Sequence, residues 1–137
     1  MMQDELVTRK VAELARERGF NEKVDRFYPL NDDKGEAVEH CDGPACFNKY
    51  TYTIAAPTQS LLQRWLRVVH YLHIEIVATA SGYIWLLDKT NGTSVADSDH
   101  QGTGANDNSG CYDTYELALE DGLRYALENL KRIKGNG

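Results

Sequence analysis

The hydrophobic period changes once, abruptly, at His70, and that change limits what the chain can fold into. Pro57 fixes its own φ and disfavours helix at Ala56, so the chain reaches Thr58 extended. The Thr58 hydroxyl can accept from a backbone N–H two or three residues on, which starts a helix. Leu61, Leu62, Trp65, Leu66 and Val69 then recur at helical spacing as one apolar stripe. Gln59, Gln63, Arg64, Arg67 and His70 fall mostly on the opposite face. At about 1.5 Å per residue, Thr58 to His70 is roughly 20 Å long, enough to cover one face of a small sheet. Beyond His70 the pattern alternates: Leu72, Ile74, Ile76 and Ala78 point one way, and His73, Glu75 and Val77 the other. Thr79-Ala80-Ser81-Gly82 reads as a turn, with Gly82 free to take positive φ. Tyr83, Trp85 and Leu87 then alternate with Ile84 and Leu86 on a returning strand.

The flanking segments extend this pattern. Asp4 to Arg18 reads as a helix with Leu6, Val7, Val11, Leu14 and Ala15 on its buried side, and Gly19 stands where a left-handed cap belongs. Val24–Leu30 and Phe47–Ile54 read as strands, the first an edge strand because of Pro29. Asn31–Cys46 reads as loop. Asp88–Cys111 is a second, long polar loop with little to bury. The last helix runs from Thr114 to Ile133, opened by an Asp113/Glu116 capping box. The predicted order is helix-strand-strand-helix-strand-strand-helix. It implies an α+β fold with the helices packed on one face of a mostly antiparallel sheet, in a single domain over 1–137.

Charge narrows the function classes. The net charge is −6, which argues against binding nucleic acid or anionic membrane through the backbone-phosphate or headgroup charge. Residues 97–128 hold eight acids against one base, Arg124, so that segment carries −7. No 18-residue apolar run suggests a membrane span, and M-M-Q-D-E-L lacks a signal-peptide pattern. Three cysteines is an odd count in a chain that is not disulfide-dense, which fits a reducing, cytoplasmic compartment.

Several constellations bear on chemistry. His40, Cys41 and Cys46 are zinc-ligand types, with Cys111 or His100 as a distant fourth ligand; the four-residue gap between the cysteines is at the loose end for such a site. Asp97, Asp99, Gln101 and Gly102 resemble the start of a calcium loop, but its twelfth position is Asn108, not glutamate. His70 and His73 flank the helix–strand junction and could serve a hydrolase as acid or base. Gln59, Gln63, Arg64, Arg67 and His70 form a candidate polar recognition face. Tyr50, Tyr52, Tyr83 and Trp85 form a candidate aromatic platform, with core packing the competing role for at least half of them.

Four stretches carry a resemblance over nearly the whole chain: L-A-R-E-R-G-F-N at Leu14–Asn21, A-P-T-Q-S-L-L-Q-R-W-L-R at Ala56–Arg67, H-I-E-I at His73–Ile76 and D-T-Y-E-L-A-L-E-D-G-L at Asp113–Leu123. They resemble a family of small uncharacterised proteins of gut anaerobic bacteria, often met near phage or mobile-element genes. That family has no established activity to carry over. Over Tyr71–Ile133, the hairpin followed by Gly110, Cys111, Asp113, Thr114, Glu116 and Ala118 is similar to the antitoxin half of HicAB-type toxin–antitoxin pairs. A long polar stretch stands where that family has a proline-rich one. The resemblance implies a basic, RNA-cleaving toxin as partner. The expectation is therefore a small cytoplasmic binding protein without catalysis or cofactor, contacting a protein partner or itself. A basic partner suits the acidic segment. A metal-dependent or histidine-based hydrolase is the alternative.

Overall fold

The computed structural model describes residues 4–32, 34–101 and 110–135. The chain groups into two compact units, Met1–Leu61 and Leu62–Gly137. The class is α+β. The strands, expected in one sheet, form two three-stranded antiparallel sheets, one per unit.

In the first unit, helix α1 (Arg9–Glu17) starts later than the expected Asp4, because Thr8 is its N-cap and accepts from Val11 N–H. The residues before it are extended instead. Val7 N–H donates to Pro57 O and Leu6 bridges Thr58, so backbone pairing replaces the first helical turns. Gly19, at φ +94, ends α1 in a Schellman motif: its N–H reaches Arg16 O, and the N–H of buried Phe20 reaches Ala15 O. The sheet order is β2 (Val38–Glu39), β1 (Arg26–Pro29), β3 (Thr53–Ala55). Val7, Val11, Ala12 and Ala15 from α1 are buried, as are Tyr28 and Ile54 from the sheet. The Tyr28 hydroxyl donates to Val7 O at 2.6 Å, which satisfies a buried polar atom at each end. Arg9 donates to Pro29 O, Leu30 O and Asp32 O and so holds the turn after β1. Phe47–Lys49, expected as strand, is a 3-10 turn. Asn48 explains the difference: its amide donates to Phe20 O at 2.6 Å and accepts from Ala55 N–H at 2.8 Å, bonds that fix the turn from outside.

The unit boundary falls within the first turn of α2 (Gln59–His70), where Thr58 Oγ1 accepts from Leu61 N–H as its cap. The second unit continues through β4 (Leu72–Thr79), β5 (Gly82–Lys89), β6 (Ser94–Asp97), the short α3 (Ser98–Gln101), α4 (Tyr115–Glu128) and α5 (Leu130–Gly135). The hairpin register runs without a break from Leu72 opposite Lys89 to Thr79 opposite Gly82. Helix α4 packs on β4 and β5 through Gly122, where a Cβ would stand 3.0 Å from Ile74 Cγ2 and 3.2 Å from Trp85 Cγ. Leu72, Ile74, Trp85 and Leu87 from the sheet are buried, as are Ala118, Leu119, Leu123 and Leu127 from α4. The N-cap of α4 is Thr114, whose hydroxyl accepts from Leu117 N–H at 3.1 Å. The cap is therefore one residue later than the expected Asp113. The long helix expected to reach Ile133 is interrupted at Asn129, whose amide donates to Tyr125 O at 2.9 Å. No described helix is long and apolar enough to cross a membrane.

Part of the long polar loop is ordered structure. It contributes β6 and α3, and its ends are joined by Ser98. The buried Ser98 hydroxyl accepts from Trp85 N–H at 3.1 Å and donates to Gly110 O at 2.6 Å. Gly110 sits at φ +85, and a Cβ there would be 2.2 Å from Ser98 O, so glycine is required. Tyr112 then exchanges two backbone hydrogen bonds with Tyr83, each 2.8 Å.

Candidate functional site

The site with the most developed geometry lies where the hydrophobic period switches. Passing from α2 to β4 within one residue puts Tyr71 at φ +59, the sole described non-glycine residue with positive φ. Its carbonyl accepts from Thr90 N–H at 2.9 Å, which ties the junction to the turn after β5. The Tyr71 side chain is 64% exposed. Val68 at 59% and Val69 at 46% stand beside it in sequence, with Arg64 and Arg67 exposed on preceding turns. Val69 is thus not part of the buried stripe. Leu62, Trp65 and Leu66 form it.

Below this face is a recess of about 390 Å³. Tyr71 and Leu72 line it from the junction, Lys89, Thr90 and Asn91 from the turn, and Ile133 and Lys134 from α5. His70 closes one side. Its Nδ1 lies 2.9 Å from Lys134 Nζ, and its ring meets Trp65 edge-on at 4.6 Å between centroids. A lysine ammonium donates only, so Nδ1 is the acceptor and Nε2 carries the proton. Nε2 is buried, with no hydrogen-bond partner among the described residues. Burial, and secondarily the Lys134 charge, lowers the His70 pKa below its usual 6.5, so the ring is neutral at pH 7.

A second cluster lies between α4 and β5. The Asp121 carboxylate accepts from Trp85 Nε1 at 3.2 Å, from Arg124 Nε at 2.6 Å and from the Tyr112 hydroxyl. Arg124 also pairs with Glu128. Burial alone would raise the Asp121 pKa, but the Arg124 and Tyr112 hydrogen bonds, the Arg124 charge and Trp85 outweigh it and hold the group below its usual range. Trp85 and Tyr112 tie α4 to β5 and to the segment before the helix, while Arg124 and Glu128 brace the carboxylate along α4, so this network is structural.

The residues expected to bind are divided by the structure. Gln63 is tied down: its Nε2 donates to Ile74 O at 2.7 Å. Gln59 is buried, whereas Arg64, Arg67 and His70 lie at the junction. His73 sits on β4, and its buried Nδ1 has no partner among the described residues. His40 Nδ1 is 2.9 Å from Gly43 O, and its ring stacks edge-on against Phe47. Cys41 is exposed, while Cys46 and Cys111 are half-buried, and all three are free thiols. Cys111 Sγ lies 4.0 Å from Thr79 Oγ1. Asp97 ends β6 and Asp99 lies in α3. Among the described residues, no three His, Cys, Asp or Glu side chains are grouped to hold a metal ion. The side chain of His100 and the calcium-loop positions Gly102 and Asn108 lie outside the described residues. Of the aromatic platform, Trp85 is fully buried and Tyr83 half-buried in the second unit. Tyr50 and Tyr52 are exposed in the first.

Lys89, Asn91, Ile133 and Lys134 did not stand out in the sequence. The Asn91-Gly92 turn was its only local signal, because the junction gathers residues as far apart as His70 and Lys134. Compared with known proteins, the chain matches no family model, no curated protein and no solved structure.

Proposed function

We propose that this chain is a non-catalytic binding protein that docks a protein partner on the exposed face at the α2–β4 junction. One observation carries the reading. Val68, Val69 and Tyr71 are exposed within four consecutive residues, at the one described position where a non-glycine backbone is held left-handed. Strain of this kind persists where the surroundings impose it, and it collects at functional sites. Tyrosine and arginine, the types that dominate interface hot spots, are both on this face as Tyr71, Arg64 and Arg67. The free thiols fit a cytoplasmic setting, and the mobile-element context implied by the resemblance belongs to the same proposal.

A second reading, an antitoxin-like protein for a basic partner, has its own support. Residues 113–128 carry five acids (Asp113, Glu116, Glu120, Asp121, Glu128) against Arg124, a net −4, and Asp121 and Glu128 hold that arginine. Tyr115 at 43% and Leu117 at 49% exposure give this surface an apolar centre.

The test compares immobilised wild type with the Val68→Ser/Tyr71→Ser variant in lysate of cells that make the protein. A partner retained by wild type and lost by a variant with an unchanged urea midpoint supports the junction. The same proteins on both columns would remove it.

A further inference from the structure

We infer that the recess beside Tyr71 receives the C-terminal residue of the protein partner, its carboxylate on Lys89, Lys134 and Asn91 and its apolar side chain against Leu72 and Ile133. This inference rests on the docking-face reading and names the chemistry of the ligand.

Among the described residues, the charge of the recess comes from lysines alone. Lys89 has no ion-pair partner among the described residues, and Lys134 contacts a neutral imidazole rather than an acid. No carboxylate among the described residues lines the recess, although the chain as a whole is at −6. Asn91 adds a donor of fixed orientation. Its Oδ1 accepts from Thr93 N–H at 2.9 Å, so its NH₂ is left to donate elsewhere. Two of the turn's backbone amides are already committed: Thr90 N–H to Tyr71 O and Gly92 N–H to Lys89 O. An anion here meets side-chain donors rather than a cradle of backbone N–H groups.

Two features favour a singly charged carboxylate over a phosphate. Helices α2 and α5 both present their C-terminal ends here, at His70 and Gly135, and the partial negative charge of helix C-termini opposes a dianion. The peptide N–H array that usually holds phosphate is absent from the described lining for the reason just given. The floor is apolar: Leu72 is 1% exposed and Ile133 4%. A ligand with an anionic end and an adjacent apolar group matches both. The volume, about 390 Å³, is near the lower end for small-molecule pockets and suits one residue. Tyr71 belongs both to the recess and to the exposed face, so a chain that ends in the recess has Val68, Val69 and Tyr71 beside it for its preceding residues. That continuity favours a chain end over a free acid.

The experiment selects decapeptides randomised at their last four positions on the purified full-length protein. One library has free C-termini and the other is amidated. The expected result is enrichment of apolar final residues in the acid library alone. Lys89→Gln and Lys134→Gln should each weaken the selected peptide about tenfold, the scale of one charge-assisted hydrogen bond. Equal enrichment in both libraries, or none in the acid library, overturns the inference. So does 4-methylpentanoate competing at the affinity of the selected peptide, because the ligand is then a free acid. The two readings fail separately. If the Lys89→Gln/Lys134→Gln protein still captures the partner that Val68→Ser/Tyr71→Ser loses, the chain-end inference falls and the docking face stands. If Val68→Ser/Tyr71→Ser also retains that partner, the docking face falls.

Discussion

Replacing Tyr71 by glycine and by valine isolates the strain at the junction. At φ +59 an L-residue sits in the left-handed region, which costs about 1–2 kcal/mol. For a β-branched residue the position is a genuine outlier. Glycine has no such penalty, but ordering it costs roughly 0.5–1 kcal/mol more than ordering alanine. The tyrosine is 64% exposed, so both replacements give up the same modest burial, and the backbone decides the difference. Tyr71→Gly should therefore be more stable than Tyr71→Val by about 1 kcal/mol. With a urea slope of about 2 kcal/mol/M, its midpoint should lie about 0.5 M higher. At an ordinary position next to a strand the order would be reversed, because valine suits extended backbone and glycine does not. Urea unfolding followed by tryptophan fluorescence gives both midpoints. A valine variant equal to or above the glycine variant would refute the strain argument, and with it the reason for a tyrosine held outward here.

Three further outcomes follow from named contacts. Asp121→Asn leaves one acceptor oxygen for the three donors of Trp85, Arg124 and Tyr112, and should lower stability by about 3 kcal/mol in urea unfolding. Gly110→Ala places a methyl 2.2 Å from Ser98 O at φ +85; it should free the loop end and speed hydrogen exchange at the Trp85 amide, which Ser98 now protects. Stability should fall with acid in two stages. The folded pKa of His70 is depressed, so its contribution is full above 6.5 and is lost as pH drops below that value; that of Asp121 is likewise depressed, and its contribution is lost below about 3.8. His70→Gln should remove the upper stage and Asp121→Asn the lower, in urea midpoints measured from pH 8 to pH 3.

Local chemistry was legible in the sequence. The Thr58 cap, the Gly19 stop, the change of period at His70 and the β4–β5 hairpin all depend on residues within a few positions of one another. Features set by distant partners were not. Phe47–Lys49 leads into the alternating run Tyr50–Ile54, but Asn48 reaches Phe20 and Ala55. Strand β6 lies in a polar loop whose ends Ser98 joins through a single hydroxyl. The α4 cap was misplaced by one residue because Asp113 and Thr114 are both good caps and composition does not choose between them. His70 was visible as a candidate for its residue type. Its recess was not, because Lys89 and Lys134 look like ordinary surface lysines until the turn and α5 bring them together.

The docking face is tested most directly by a photo-crosslinking residue placed at Val68, at Leu117 and at exposed Glu17 in cells that make the protein. The account predicts a discrete crosslinked product from Val68 and none from Glu17. A product from Leu117 alone would contradict it and assign binding to the acidic face of α4, and no product from Val68 or Leu117 would contradict both surfaces.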